Sequence, residues 1–392
     1  MDYSATTPVK AEVMAEMLPY FTMKFGNPSS LYGPGFEARD GVEAARHNVA
    51  HLIGAADKEV YFTSCGTEAD DWALKGVAEL KKAKGKHIIT TKIEHHAILH
   101  TCEYLEKQGY EVTYLGVDAE GQISLEELEN AIRPDTILVS IMFANNEMGA
   151  ILPIKEAAAI AHKHDVLFHT DAVQALSNVP IDVKDLDVDL MSISGHKIYA
   201  PKGIGALYIR KGLVLPNLLH GGAQESKRRA GTENVTGIIG FGKAAQMAEE
   251  NLDYHIKHIT ELRDYFIENV QKRISNVRVN GGMEHRLPGN VNMIFDFIEG
   301  EALLGYLDMQ GIYISTGSAC SSGSFAPSHV LAAMGLPPEK IYSSLRFSIG
   351  DFTTKADLDY VVDCLERTVQ TLRSFSPFNE EHPMFGTTQV HK

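Results

Sequence analysis

Between residues 60 and 194 one pattern repeats. A short run dominated by apolar and β-branched residues is followed by a turn of small or polar residues, and then by a stretch with helical spacing. The apolar runs are Val60–Thr63, His87–Thr91, Glu111–Leu115, Ile137–Phe143, Val166–His169 and Val188–Ile193. Between them, helices are expected at about Ala69–Lys82, Ala97–Gln108, Ser124–Ile132 (capped by Ser124, with Glu127 at the capping-box position) and Lys155–His164. Strands with no polar alternation are buried on both faces. Alternation with helices therefore predicts an α/β layer fold built on a parallel sheet. In such sheets ligands gather at the carboxyl ends of the strands.

Five polar turns fall at those ends. They are Gly66-Thr67, His95, Asn146, Asp171 to Gln174, and Ser194-Gly195-His196-Lys197. Each has a plain reading when taken alone. Lys197 could be a surface ammonium, or a lysine forming a Schiff base with a cofactor carbonyl, with Ser194 and His196 on a phosphate. Ser64 to Thr67 could be an ordinary helix cap, or an anion site made by free amides and the helix dipole. His96 and His100, at i and i+4, could ligate a metal, but no third ligand is spaced for it; His95 could instead lie flat on an aromatic ligand. Together the five turns favour one ligand site on one sheet edge.

The rest of the chain sets limits. The 36 basic and 51 acidic side chains give a net charge of −15, which argues against direct nucleic-acid binding as the main task. No run of 18 apolar residues exists, so no membrane span is expected, and the N-terminus does not read as a secretory signal. The four cysteines, Cys65, Cys102, Cys320 and Cys364, form no Cys-x-x-Cys pair, which suits a reducing cytoplasm. Helices are also expected at about Val9–Tyr20 and Phe36–Ile53. The glycines Gly237, Gly240 and Gly242 read as helix packing rather than a dinucleotide loop.

Beyond about residue 250 the texture changes to a smaller α+β unit. A charged helix is expected from Asn251 to Ile274. Strands follow at Val277–Val279, Asn290–Phe295, Ile312–Ile314 and Ser343–Ile349, and helices at Glu301–Met309 and Lys355–Leu372. Residues Ser315 to Ser324 are all Ser, Thr, Gly, Ala or Cys, so little packing anchors Cys320. The tail from Ser374 reads as an extended surface segment.

A lysine, an aspartate, a phosphate cup and a flat histidine match the parts of pyridoxal 5′-phosphate. Lys197 would form the Schiff base, and Asp171 would pair with the pyridine nitrogen. His95 would stack on the ring, and Gln174 and Asn146 would bond the ring oxygen or the substrate. Gly66, Thr67, Ser194 and His196 would hold the phosphate, and Arg346 would bind an amino-acid carboxylate with two parallel hydrogen bonds.

The motifs Thr63-Ser64-Cys65-Gly66-Thr67-Glu68, Glu94-His95-His96-Ala97, Ala144-Asn145-Asn146-Glu147-Met148-Gly149, Thr170-Asp171-Ala172-Val173-Gln174, Ser194-Gly195-His196-Lys197, His220-Gly221-Gly222, Arg229-Ala230-Gly231-Thr232 and Gly317-Ser318-Ala319-Cys320-Ser321 occur in this order. The chain thereby closely resembles, over nearly its whole length, the NifS/IscS-type cysteine desulfurases, class-V aminotransferases of pyridoxal-phosphate fold type I.

The resemblance implies an aspartate-aminotransferase-like α/β fold. A large cofactor-binding domain, residues 14–250, would carry a mainly parallel seven-stranded sheet. A small α+β domain, residues 1–13 and 251–392, would carry the cysteine loop. It implies a cytoplasmic homodimer in which Thr232 reaches the partner's phosphate. The implied reaction is L-cysteine to L-alanine, with Lys197 and His95 carrying protons. Sulfur would pass to Cys320 as a persulfide, and then to an iron–sulfur scaffold or thiolation protein. No resident metal is implied, though Cys320 could serve as a transient iron–sulfur ligand. The alternatives are a selenocysteine lyase, a pyridoxal-phosphate aminotransferase, or an idle scaffold of an assembly complex.

Overall fold

The computed structural model of the chain describes residues 1–316 and 327–379. Two helices lead in, α1 (Ala11–Thr22) and α2 (Gly33–Leu52). The alternating region then forms β1 (Val60–Thr63), α3 (Gly66–Lys81), β2 (His87–Thr91), α4 (His96–Glu106), β3 (Glu111–Leu115), α5 (Leu125–Ala131), β4 (Thr136–Ser140), α6 (Ile154–Lys163), β5 (Leu167–Asp171), β6 (Leu190–Ser194) and β7 (Gly205–Ile209). Ser124 caps α5 by accepting the Glu127 amide at 3.1 Å.

These strands make one seven-stranded sheet in the order β1-β7-β6-β5-β4-β2-β3. All neighbours are parallel except where β7 pairs antiparallel with β1 and β6. β2, β4, β6 and β7 are buried along their whole length, as expected of strands covered on both faces.

β7 was not anticipated. The glycine-rich stretch before it reads as a loop, yet it delivers Gly205 to Ile209 straight into a ladder with β6. The charged helix also starts earlier than its charge pattern suggests. It runs unbroken from Val235 to Arg273, so the change of texture near residue 250 falls inside it. The three glycines lie within its first turns and do pack against neighbours. A Cβ on Gly242 would stand 2.4 Å from Ala45 Cβ, and one on Gly240 would stand 2.6 Å from Met17 Sδ.

A second, antiparallel sheet joins Val277–Val279, Asn290–Phe295, Ser344–Ser348 and the two-residue strand Ser315–Thr316. Ile312 and Ile314 are not in a strand. They are buried in the core of this sheet while the ladder begins one residue later, at Ser315. That core is separate from those of the large sheet, and it draws on the second half of the long helix and on the last helix, Lys355–Phe375.

The N-terminal segment ties the two sheets together. Met1 O accepts the Ser348 amide at 3.0 Å and Ser348 Oγ accepts the Ser4 amide at 2.9 Å. Thr7 then donates from both its amide and its hydroxyl to the His196 carbonyl.

Candidate active site

A cavity of about 290 Å³ opens at the carboxyl edge of β2, β4, β5 and β6. Ten of the twelve residues expected at the site line it: Gly66, Thr67, His95, Asn146, Asp171, Gln174, Ser194, His196, Lys197 and Arg346. Thr232 is exposed and lies outside this cavity. Cys320 lies outside the described residues.

Lys197 sits in a 3-10 turn, Gly195–Lys197, that directly continues β6. Its Nζ donates to the carbonyls of Ser4 at 2.6 Å and Ala5 at 2.8 Å. Asp171 ends the neighbouring β5 and is buried. Its Oδ1 accepts the Val173 amide at 2.9 Å. Burial raises its pKa to about 6, against the pull of that amide and of the Lys197 charge. A buried carboxylate facing a cavity is suited to a cationic ring nitrogen, which would repay its lost hydration.

His95 is the N-cap of α4, and its Nδ1 accepts the Ala97 amide at 3.2 Å. Burial first, and then the charges of Lys197, His329 and His100, hold its pKa down at about 4. The ring is therefore neutral at physiological pH, with its proton on Nε2. In this state His95 is a hydrogen donor through Nε2, and the lone pair that would make it a base is engaged. His96 is flanked by the rings of His100 and His329, at 5.0 and 4.8 Å between centroids.

The phosphate cup can be tested on the residues present. α3 begins at Gly66, so its first-turn amides point out of the helix toward the cavity. A Cβ on Gly66 would come within 2.7 Å of Val173 Cγ2, so a side chain here would crowd the floor of the cup. Ser194 Oγ is buried and has no hydrogen-bond partner among the described residues, which is a donor awaiting an acceptor. Glu68, in the same first turn, would repel an anion, but it receives two hydrogen bonds from Arg229, at 2.7 and 3.0 Å. These features fit a phosphate. His196 also lines the cavity; its Nδ1 lies 3.1 Å from Thr6 Oγ1, and burial, then the Lys197 charge, lowers its pKa to about 4.

Arg346 is buried and lines the same cavity. It donates to the Asn146 carbonyl at 3.1 Å, to Asp2 at 2.9 Å and to Ser315 Oγ at 3.1 Å, while Nε has no partner among the described residues. The Asn146 backbone thus holds the arginine. Gln174 donates to the Ser4 carbonyl at 3.0 Å.

Sequence reasoning missed several lining or supporting groups: Ser4, Ala5, Asp2, Met142 and Asp70. Asp70 stands on the same helix as the buried Ala69, Trp72, Ala73 and Val77, which marks it as buried but not as an acid of the site. The N-terminal residues carried no signal, because they reach the site from more than 190 positions away.

The sequence profile of the aminotransferase class-V family matches residues 1–361. The chain is 54% identical, over 381 residues, to the cysteine desulfurase IscS of Dictyoglomus turgidum, with 97% of each chain covered. It is similar to a solved NifS-like protein at 39% identity and a TM-score of 0.90, covering 95% of this chain and 99% of that one. It is also similar to the structure of SspA in complex with cysteine, at 35% identity and a TM-score of 0.80, covering 90% of this chain and 99% of that one.

Proposed function

This chain belongs to the aminotransferase class-V family, and on that premise we propose how its own residues take sulfur from L-cysteine. It is a cysteine desulfurase that works with pyridoxal 5′-phosphate. The bound cofactor supplies an electron sink for negative charge developing at the substrate Cα. The observation that carries the assignment of roles is that Lys197, Asp171, His95 and the first turn of α3 line one cavity.

In our reading, the amide groups of Gly66 and Thr67, with Ser194 and His196, hold the phosphate, and Thr232 serves the same group in a second subunit. Asp171 is the anion opposite the ring nitrogen, and Asn146 and Gln174 fix the ring oxygen. Arg346 binds the substrate carboxylate. Its guanidinium is already oriented by Asp2, Ser315 and the Asn146 carbonyl, with Nε left over for an acceptor.

Lys197 Nζ takes the Cα proton. The two carbonyls that hold it, those of Ser4 and Ala5, define the position from which it must swing. His95 Nε2–H is a proton donor. The Cys320 thiolate attacks the substrate sulfur. A sulfur–sulfur bond forms as the substrate Cβ–S bond breaks, the electron pair stays with carbon, and a proton completes alanine. Sulfur leaves Cys320 for an iron–sulfur scaffold or another sulfur-acceptor protein.

Three further readings belong to this proposal. The exposed apolar side chains of Leu18, Phe21, Met23, Phe25, Leu31 and Tyr32 support a homodimer. The small sheet's own core supports a division into residues 14–250 and residues 1–13 with 251–392, while Val13, Leu287, Val330, Leu331, Met334 and Ile341 pack across it into the core of the large sheet. Free thiols at Cys65, Cys102 and Cys364 suit a reducing cytoplasm.

The test is direct. Given L-cysteine, the wild-type holoenzyme should release alanine and gain one sulfur atom on Cys320 by mass spectrometry. Lys197→Ala should fold and release none. Keto-acid products, or alanine release by Lys197→Ala, would defeat the assignment.

A further inference from the structure

One buried acid at the site has no role in the chemistry above. Asp70 lies on α3, one turn on from Gly66, is 1% exposed, and lines the cavity. Its Oδ1 has no hydrogen-bond partner among the described residues. His169 Nε2 is 3.7 Å away, but that nitrogen meets Ser192 Oγ at 3.0 Å while Nδ1 meets Ser140 Oγ at 2.8 Å. Burial takes the His169 pKa down to about 3, so the ring brings no charge to Asp70. The other groups facing Asp70 are Asp171 from β5, Glu94 from the end of β2, Ser192 from β6 and Asp71 on its own helix. Three of these are acids and none is a cation.

Two neighbouring carboxyls in a dry pocket do not both ionise; they share a proton. Which one keeps it depends on the donors around each. Asp171 has the Val173 amide and the Lys197 charge to support an anion. Asp70 has one hydroxyl donor, Ser192, but no backbone amide or cation, and its Oδ1 has no partner among the described residues.

We propose that Asp70 is a positioning residue for the cofactor: it keeps the acid form beside Asp171 and so leaves Asp171 as the single anion facing the pyridine nitrogen. Burial first, and then the Asp171 charge, push the Asp70 carboxyl well above the usual range, against a hydrogen bond from Ser192. Glu94, buried behind the cavity lining, behaves alike, raised by burial to about 8.

An asparagine has the shape of the protonated acid and cannot ionise. Asp70→Asn should therefore retain pyridoxal phosphate, measured by equilibrium dialysis at pH 7, to within about threefold of wild type. Asp70→Ala opens space for water beneath Asp171, and its affinity should fall by about tenfold, the effect of one hydrogen bond in a dry site. The infrared difference spectrum of wild-type holoenzyme minus Asp70→Asn at pH 7 should show the carbonyl band of a protonated carboxyl.

A carboxylate band in its place would overturn the proposal. So would an Asp70→Asn affinity as weak as that of Asp70→Ala, or an Asp70→Ala affinity equal to wild type. If Asp70→Ala fails to fold, the spectrum and the asparagine variant still decide. The proposal rests on the reading that this cavity holds pyridoxal phosphate, and that reading fails separately if the wild-type protein takes up none.

Discussion

Asp171→Asn should make the cofactor-free protein more stable while making the holoenzyme nearly inactive. Asparagine keeps the shape and the oxygen that accepts the Val173 amide at 2.9 Å, so the local geometry survives. What disappears is a buried charge. The Asp171 pKa is raised from 3.8 to about 6, chiefly by burial. A carboxyl raised in the folded state contributes stability below its unfolded pKa, and that stability is lost as pH rises through the folded value. A shift of about two units corresponds to about 3 kcal/mol. The wild-type protein loses this between pH 4 and 6, and the asparagine variant does not. The gap in stability should therefore open across that window and reach about 3 kcal/mol above it. Urea unfolding of both cofactor-free proteins from pH 4 to 8 measures the gap. Turnover of L-cysteine by the holoenzyme should fall by on the order of 10²-fold or more, as for other lost electrostatic partners. Stability curves that run parallel over this pH range, or a variant less stable at pH 8, would refute the reasoning that the fold sustains a strained anion for the cofactor.

Three other outcomes are expected. Asp351→Asn should destabilise the fold by about 1–2 kcal/mol at neutral pH: burial would raise the Asp351 pKa, but His255 and Lys10 pull it to about 2. Because this pKa is depressed, the contribution is present above about pH 4 and is lost as pH falls toward 2, so wild type and variant should converge in acid unfolding. Cys320→Ala should bind cofactor and cysteine yet form no stable persulfide; mass spectrometry that finds the added sulfur on Cys65, Cys102 or Cys364 would contradict this. For the proposed homodimer, Leu31→Glu together with Phe25→Glu should shift sedimentation from dimer toward monomer, since both side chains are largely exposed in the single chain, at 82% and 72%; a wild-type monomer would refute the dimer, and an unchanged dimer would remove that face from the interface.

The sheet was legible because parallel strands buried on both faces leave an apolar run, as Ile137, Leu138 and Val139 at the centre of β4 show. The ends of those runs located the site for the same reason, since each polar turn stands out against them. Legibility failed where packing rather than pattern decides. Gly237, Gly240 and Gly242 lower helix propensity, yet the helix begins before them, because a side chain at Gly242 would collide with Ala45. Ile312 and Ile314 have strand chemistry and burial, but no ladder partner. The five residues of β7 are as apolar as any other strand, and only the preceding glycines disguised them.

The site divides along the same line. Residues that a cofactor would touch were readable, since they sit at strand ends and carry chemistry that nothing else there requires. Residues that set the charge of the site were not. Asp70 and Glu94 reach Asp171 from a different helix and a different strand end, and their effect comes from being buried together. Burial turns a carboxyl from an anion into a neutral donor, which no residue name records. The same holds for Lys197, whose amine is positioned by the carbonyls of Ser4 and Ala5. Those two residues have no chemical side-chain signature, and their backbone oxygens matter only because Met1 and Ser4 are pinned to Ser348 and Thr7 to His196. The N-terminal segment thus connects the small sheet to the lysine turn. A change in the small sheet's position would move the acceptors of Lys197 before it moved the lysine itself.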